Sequence, residues 1–241
     1  MTLTYTGHGI GVARSIAIGS AYLLQKGMPE VVPGSISAEQ VAAETARFRA
    51  AVAGAHAKLN AVREKIPPST RSDIAAFIDT HVLMLNDDVL IEAPIKYIKQ
   101  RHYTAEWALQ VQRDELVRVF EAMQDPYLRT RKDDIDHVVS LVLKILLGQT
   151  DDDHHEDLRG RIILAQDLTP ADTIMMRHQG VAAFVTEFGG PMSHTAILAR
   201  SLGIPAVVGV HHATHNLSNA EQLIVYRGRG LLLTATADAP L

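Results

Sequence analysis

Residues 186 to 200 read Thr186-Glu187-Phe188-Gly189-Gly190-Pro191-Met192-Ser193-His194-Thr195-Ala196-Ile197-Leu198-Ala199-Arg200, which places a histidine where a strand gives way to a helix. An apolar strand ends, two glycines permit a tight loop, and an alanine- and leucine-rich run starts a helix at about Ser193. The first turn of a helix carries backbone N–H groups without intrahelical acceptors, at the positive end of the helix dipole, and so attracts anions. Gly189 and Gly190 let a phosphate approach the main chain closely. The hydroxyls of Ser193 and Thr195 could cap the helix or contact phosphate oxygens. An uncharged imidazole at this point joins a nucleophilic nitrogen to donors for the oxygens of a transferred phosphoryl group. A histidine in a first helical turn is more often a packing or surface residue, so these features alone leave both readings open. The chain contains no G-x-x-x-x-G-K-[ST] pattern and hence no nucleotide-binding P-loop.

Other residues invite two readings each. Thr169, followed by Pro170 and Asp172, has the composition of a helix N-cap. Arg200 lies six residues beyond His194, more than one helical turn, and reaches a phosphate there only if the chain folds back. Phe77, His81 and Leu85 share a helical face at four-residue spacing, which suits either a packed core or an interface. The pairs His154-His155 and His211-His212, with His215, contain no H-E-x-x-H helix and no cysteine beside them, and read as solvated loops with no metal.

The 241 residues are 47% hydrophobic and 21% charged, with a formal net charge of -4. That balance supplies no basic excess for binding a nucleic acid backbone. With no cysteine, the chain has neither disulfides nor thiolate chemistry. The first residues lack the basic-then-apolar order of a secretory signal, and no uncharged apolar run approaches the ~20 residues of a membrane span. The expectation is a cytoplasmic protein without membrane insertion.

Two kinds of periodicity must position these residues. The first 26 residues read as strands, chiefly Ile16 to Leu24, and Pro33-Gly34 closes them. From Ser37-Ala38-Glu39-Gln40, a capping-box pattern, the sequence turns helical. Helices are expected to about Ile66 before Pro67-Pro68, from near Arg71, over Val89 to Lys99 with a break at Pro94, and over Thr104 to Met123. A last one runs from Asp125-Pro126 to Leu147. A polar connector, Asp151 to Asp157, follows. Strands are then expected at 161–165, 181–185, 205–209 and 222–226, the last turning through Gly228-Arg229-Gly230 into a hairpin. Helices start at Thr169-Pro170 and over His194 to Leu202. The fold class is an α/β domain, residues 1–33 and 149–241, interrupted by an inserted all-α helical bundle, residues 34–148.

The run from Gly189-Gly190 through Ser193-His194-Thr195-Ala196-Ile197-Leu198-Ala199-Arg200 to Ile204-Pro205-Ala206-Val207-Val208-Gly209 closely resembles the phosphohistidine motif of the phosphoenolpyruvate-utilising enzymes. With Asp167-Leu168-Thr169-Pro170 and the helical insertion, the whole chain resembles the amino-terminal half of Enzyme I of the bacterial sugar phosphotransferase system. The resemblance implies a swivelling phosphohistidine domain. In it, His194 receives phosphate and passes it to the phosphocarrier HPr, or an HPr-like protein, which binds the helical insertion. It implies that Thr169 hydrogen-bonds the active histidine, that Gly189, Gly190, Ser193 and Thr195 bind phosphate, and that Phe77, His81, Met84 and Leu85 contact the partner. It implies no cofactor in these residues, with phosphoenolpyruvate and magnesium handled by a following barrel domain that also holds the dimer contacts, so that this part alone would be monomeric. The sequence departs from the family at Pro191-Met192, where Arg-Thr is usual, and at Arg14-Ser15-Ile16, where Ser-Pro-Gly is usual. A histidine domain of a pyruvate phosphate dikinase or phosphoenolpyruvate synthase type, and a docking module without catalysis, are the competing expectations.

Overall fold

Alternating and helical periodicity produce two units, and the computed structural model describes residues 2–12, 16–24, 27–66, 72–129, 131–149, 157–226 and 230–236. Pro67-Pro68, the helix start near Arg71, residues 151–156 of the polar connector with its His154-His155 pair, Arg14-Ser15 and the Gly228-Arg229 turn lie outside these residues. One unit comprises residues 1–27, 65–74 and 155–241, the other residues 28–64 and 75–154. The chain thus crosses between units a few residues from the positions read off composition, and residues 65–74 join the α/β unit.

Among the described residues the α/β unit has eight strands: β1 (Thr2–His8), β2 (Ile10–Gly11), β3 (Ile16–Leu24), β4 (Ile162–Ala165), β5 (Ala183–Thr186), β6 (Ala206–Val208), β7 (Gln222–Tyr226) and β8 (Leu231–Thr236). Their order is β1-β8-β7-β3-β4-β5-β6-β2, with β3 to β6 parallel and the flanking pairs antiparallel. Because β1 and β2 are consecutive, one segment pairs with both edges and closes the sheet into a ring. Gly9 makes the transfer: its N–H donates to the Gly230 carbonyl at 2.8 Å. A Cβ there would sit 2.6 Å from the Val208 carbonyl oxygen, so only glycine allows this approach.

The parallel strands are apolar on both faces, as buried parallel strands must be. Ile162, Leu164, Ala183, Val185 and Val207 join Leu223, Val225 and Leu232 in one core. Ile163, Ala165, Phe184, Ala206 and Val208 face the other way, with Met176 of α7 (Pro170–His178) and Ala196 and Ala199 of α8 (His194–Leu202). Ala165 and Thr186 are register partners at the carboxyl ends of β4 and β5. The loops leading to α7 and to α8 therefore leave the sheet side by side, at the end where parallel sheets hold ligands.

The second unit contains α1 (Val41–Glu64), most of α2 (Ser72–Met84), α3 (Asp88–Arg101), α4 (Ala105–Glu121), α5 (Pro126–Arg129) and α6 (Arg131–Leu146). At the entry to the first helical turn, Gln40 Oε1 accepts from the Ser37 N–H at 2.9 Å, as the capping-box spacing predicts. α1 buries Phe48, Ala51, Val52, Ala55, Leu59 and Val62, a stripe of three- and four-residue steps. It packs on α3 and α6, and α4 packs on the same two helices. One expectation is corrected. α3 does not break at Pro94: Leu90, Pro94, Ile95 and Ile98 are all buried on one face, and that packing outweighs the lost backbone bond. After Asp125 the described residues are helical over Pro126–Arg129 and Arg131–Leu146.

Candidate functional site: the His194 loop and a helical groove

Ser193 is the N-cap of α8, in extended backbone, and its Oγ accepts from the Ala196 N–H at 3.3 Å. His194 is thus the first helical residue and is half-buried, next to N–H groups that helix geometry leaves without intrahelical acceptors. Gly189 adopts φ +102°, a left-handed backbone closed to most side chains, and a Cβ there would lie 2.9 Å from Ser193 Oγ. The tight entry to α8 depends on that glycine. Gly190 has open space around it.

Thr195 is buried, and its hydroxyl donates to the Leu168 carbonyl at 3.2 Å and lies 3.5 Å from Asp167 Oδ1. This bond joins the residue after His194 to the residue before Thr169. The inward turn of the hydroxyl removes it as a side-chain donor to phosphate, which corrects that expectation and leaves the Thr195 backbone N–H. Thr169 caps α7: its Oγ1 accepts from the Asp172 N–H at 3.1 Å, and Asp172 Oδ2 accepts from the Thr169 N–H at 3.4 Å. A hydroxyl that accepts one bond can still donate another, so capping and contact with a histidine are compatible. The loop folds back far enough for Arg200 Nη2 to donate to the Pro191 carbonyl at 3.3 Å. Helical spacing had placed this guanidinium too far away.

Sequence reasoning assigned no role to Glu187. It is only 7% exposed, and its Oε1 accepts both the N–H and the hydroxyl of Thr214, at 2.7 and 2.6 Å. Thr214 lies on α9 (Ala213–Asn216). A charged residue directly after the buried strand Ala183–Thr186 was the available signal.

In the helical unit the four residues named for the partner separate. His81 and Leu85 are 3% and 2% exposed, so both belong to the core and offer no surface, which corrects the interface expectation. His81 Nε2 lies 3.3 Å from Asp134 Oδ1, and Arg131 Nη1 donates to Asp134 Oδ2 at 3.0 Å. The His81 ring meets His137 edge-on, centroids 5.8 Å apart. Phe77 and Met84 are half-buried. Met84 lines a groove of about 330 Å³ whose walls include Val89, Leu90, Leu116, Phe120 and Ile135, with Arg131 and Asp134 at its polar side. Four helices contribute to it.

The family profile described as "PEP-utilising enzyme, N-terminal" matches residues 8–131, and that of "PEP-utilising enzyme, mobile domain" matches residues 158–230. The chain belongs to the PEP-utilising enzyme family. A phosphoenolpyruvate-protein phosphotransferase of Cupriavidus necator is 39% identical over 238 residues, covering 94% of this chain and 40% of that protein. One of Bacillus sp. (strain S) is 38% identical, covering 90% of this chain and 37% of its own. The chain therefore spans about two-fifths of the length of these relatives. A solution structure of Enzyme I (nEIt) superposes with a TM-score of 0.76 at 30% identity, covering 96% of this chain and 94% of that one. The N-terminal domain of Enzyme 1 - Nitrogen shares the fold at 24% identity, with a TM-score of 0.66 and coverage of 95% and 93%.

Met192 is 79% exposed and Phe188 57%, so two apolar side chains of the His194 loop face outward. Among the described residues no three His, Asp or Glu side chains are arranged to hold a metal ion, and His211, His212 and His215 are exposed. No described helix is long and apolar enough to cross a membrane.

Proposed function

We propose that this chain is the phosphoryl-relay part of a phosphoenolpyruvate-protein phosphotransferase, exchanging phosphate between His194 and a histidine of HPr or an HPr-like carrier. The observation that carries the reading is His194 at the first position of α8, beside first-turn amides and a left-handed glycine. In the transfer, the lone pair of a neutral His194 ring nitrogen attacks phosphorus and forms a new N–P bond. The donor's N–P bond breaks in line, and its electron pair returns to the donor ring, which is left neutral. The amides of α8 stabilise the three phosphoryl oxygens, so catalysis is positioning and electrostatics. No cofactor enters this step. Use of phosphoenolpyruvate, with magnesium, is assigned to the part of the relatives' length that these residues do not span.

The carrier docks on the groove lined by Met84, Leu116 and Phe120, whose lining also includes the cation of Arg131. Phe77, half-buried on α2, remains a proposed contact.

Incubation with HPr phosphorylated on its histidine, followed by intact mass, tests the proposal. Wild type gains one acid-labile phosphate and His194→Ala gains none. Equal labelling of both proteins, or of neither, overturns it.

A further inference from the structure

The loop carrying His194 is tied on both sides, and the two ties differ in kind. After the histidine, the Thr195 hydroxyl holds Leu168. Before it, the chain leaves β5 with backbone bonds from Glu187 N–H to the Ala165 carbonyl and from Phe188 N–H to the Gln166 carbonyl, both 3.0 Å. Beyond Phe188 the backbone departs from β4, and Thr186 Oγ1 turns it by donating to the Phe188 carbonyl at 2.8 Å. On the other flank, the Val210 N–H donates to the Thr186 carbonyl at 2.9 Å. The Glu187 carboxylate then reaches Thr214 with the two shortest bonds of this region.

Burying a carboxylate is costly unless it is hydrogen-bonded, and ionised acceptors make the stronger bonds. The sign of its charge argues against direct help to the reaction, because a second negative group does not stabilise an incoming phosphoryl anion. Its value to the site is therefore geometric. Both donors of Thr214 converge on a single oxygen, so the tie needs one well-placed acceptor and not the charge itself.

We infer that Glu187 is a positioning residue for the His194 relay, a latch that fixes the entry of the His194 loop by bonding Thr214 of α9. The inference rests on the relay reading for its rate consequence, and on geometry alone for its effect on the loop. With the latch removed, the loop keeps the bonds of Phe188 to Gln166 and of Arg200 to Pro191 but loses the side-chain tie of its entry to α9. A displacement of about 1 Å in a reacting group lowers transfer on the order of a hundredfold.

The test compares wild type, Glu187→Ala, Glu187→Gln and Thr214→Val in single-turnover transfer from phosphorylated HPr. The Kd for unphosphorylated HPr is measured alongside. Glu187→Ala lowers the transfer rate about ten- to a hundredfold with Kd unchanged. Glu187→Gln, which keeps one acceptor oxygen, restores at least a third of the wild-type rate, and Thr214→Val falls between. A wild-type rate in Glu187→Ala overturns the latch. So does a glutamine variant as slow as the alanine one, since charge and not the tie would then matter. Should the alanine variant fail to fold, a wild-type rate in Thr214→Val overturns it instead. If wild type takes no phosphate, the relay reading falls and the latch is judged on the ring resonances of His194. These shift in Thr214→Val and Glu187→Ala but not in Glu187→Gln, and identical resonances in all four proteins reject it.

Discussion

The His194 loop and the helical groove solve opposite problems. The loop fixes one side chain, using backbone conformation and short polar bonds from residues within a few positions of strand ends: Gly189, Ser193, Thr195, Thr169 and Glu187. The groove presents a surface, and its apolar walls come from α2, α3, α4 and α6, separated by up to fifty residues of chain. The first is specified by one backbone conformation and a few polar bonds, where substitution acts on geometry and rate. The second is specified by packing, where substitution acts on stability or affinity depending on which side of the helix it touches.

The contrast between His81 and the groove wall gives the largest expected effect. His81→Ala removes a buried ring and leaves Asp134 without that partner, and should cost about 3 kcal/mol of stability in urea unfolding. A variant of unchanged stability and lost HPr affinity would instead return His81 to the interface.

Next comes the loop's own internal comparison. Gly189→Ala forces a side chain into φ +102° and against Ser193, and should lower stability by about 1–2 kcal/mol and slow phosphate uptake. Gly190→Ala meets no neighbour and should stay within about 0.5 kcal/mol of wild type. Equal effects at the two glycines, read by thermal melts, would show that the loop is not held by Gly189.

Met84→Ala should weaken HPr binding about tenfold, about 1.4 kcal/mol, with transfer from the bound complex unchanged. Titration calorimetry beside single-turnover rates separates the two. A loss of rate without loss of affinity would place Met84 with the loop and not with the groove.

The smallest effect concerns pH. Arg47 donates to Glu44 and Glu106 at 2.7 Å, and Glu44 Oε1 accepts from the Ala105 N–H at the start of α4, also at 2.7 Å. The Arg47 guanidinium holds the Glu44 carboxyl below the ordinary glutamate range, aided by the Ala105 N–H and opposed by burial. A depressed carboxyl stabilises the fold above its unfolded value, ordinarily 4.5, and that contribution is lost as pH falls through the lowered folded value. Glu44→Gln should therefore be less stable than wild type at pH 7, with the gap closing below pH 4.5. A gap independent of pH would assign the effect to packing.

By itself the sequence determined the elements and the strand-to-helix junction at His194. Ile16 to Leu24, Gln222 to Tyr226 and the helix from His194 to Leu202 carry their period, caps and glycine punctuation within a few residues, and the strands and helix form there. Thr169-Pro170-Ala171-Asp172 likewise encodes its own cap. Local signals of this kind depend on backbone sterics and on hydrogen bonds spanning three or four residues, which no distant contact needs to supply. Only the tertiary structure decided which side of α2 is buried, that α3 runs through Pro94, that Arg200 reaches the His194 loop, and that Glu187 finds Thr214. Each depends on groups brought together by sheet register or helix packing. A helical stripe of Phe77, His81, Met84 and Leu85 looks the same whether it meets a core or a partner, until the neighbouring helices are in place.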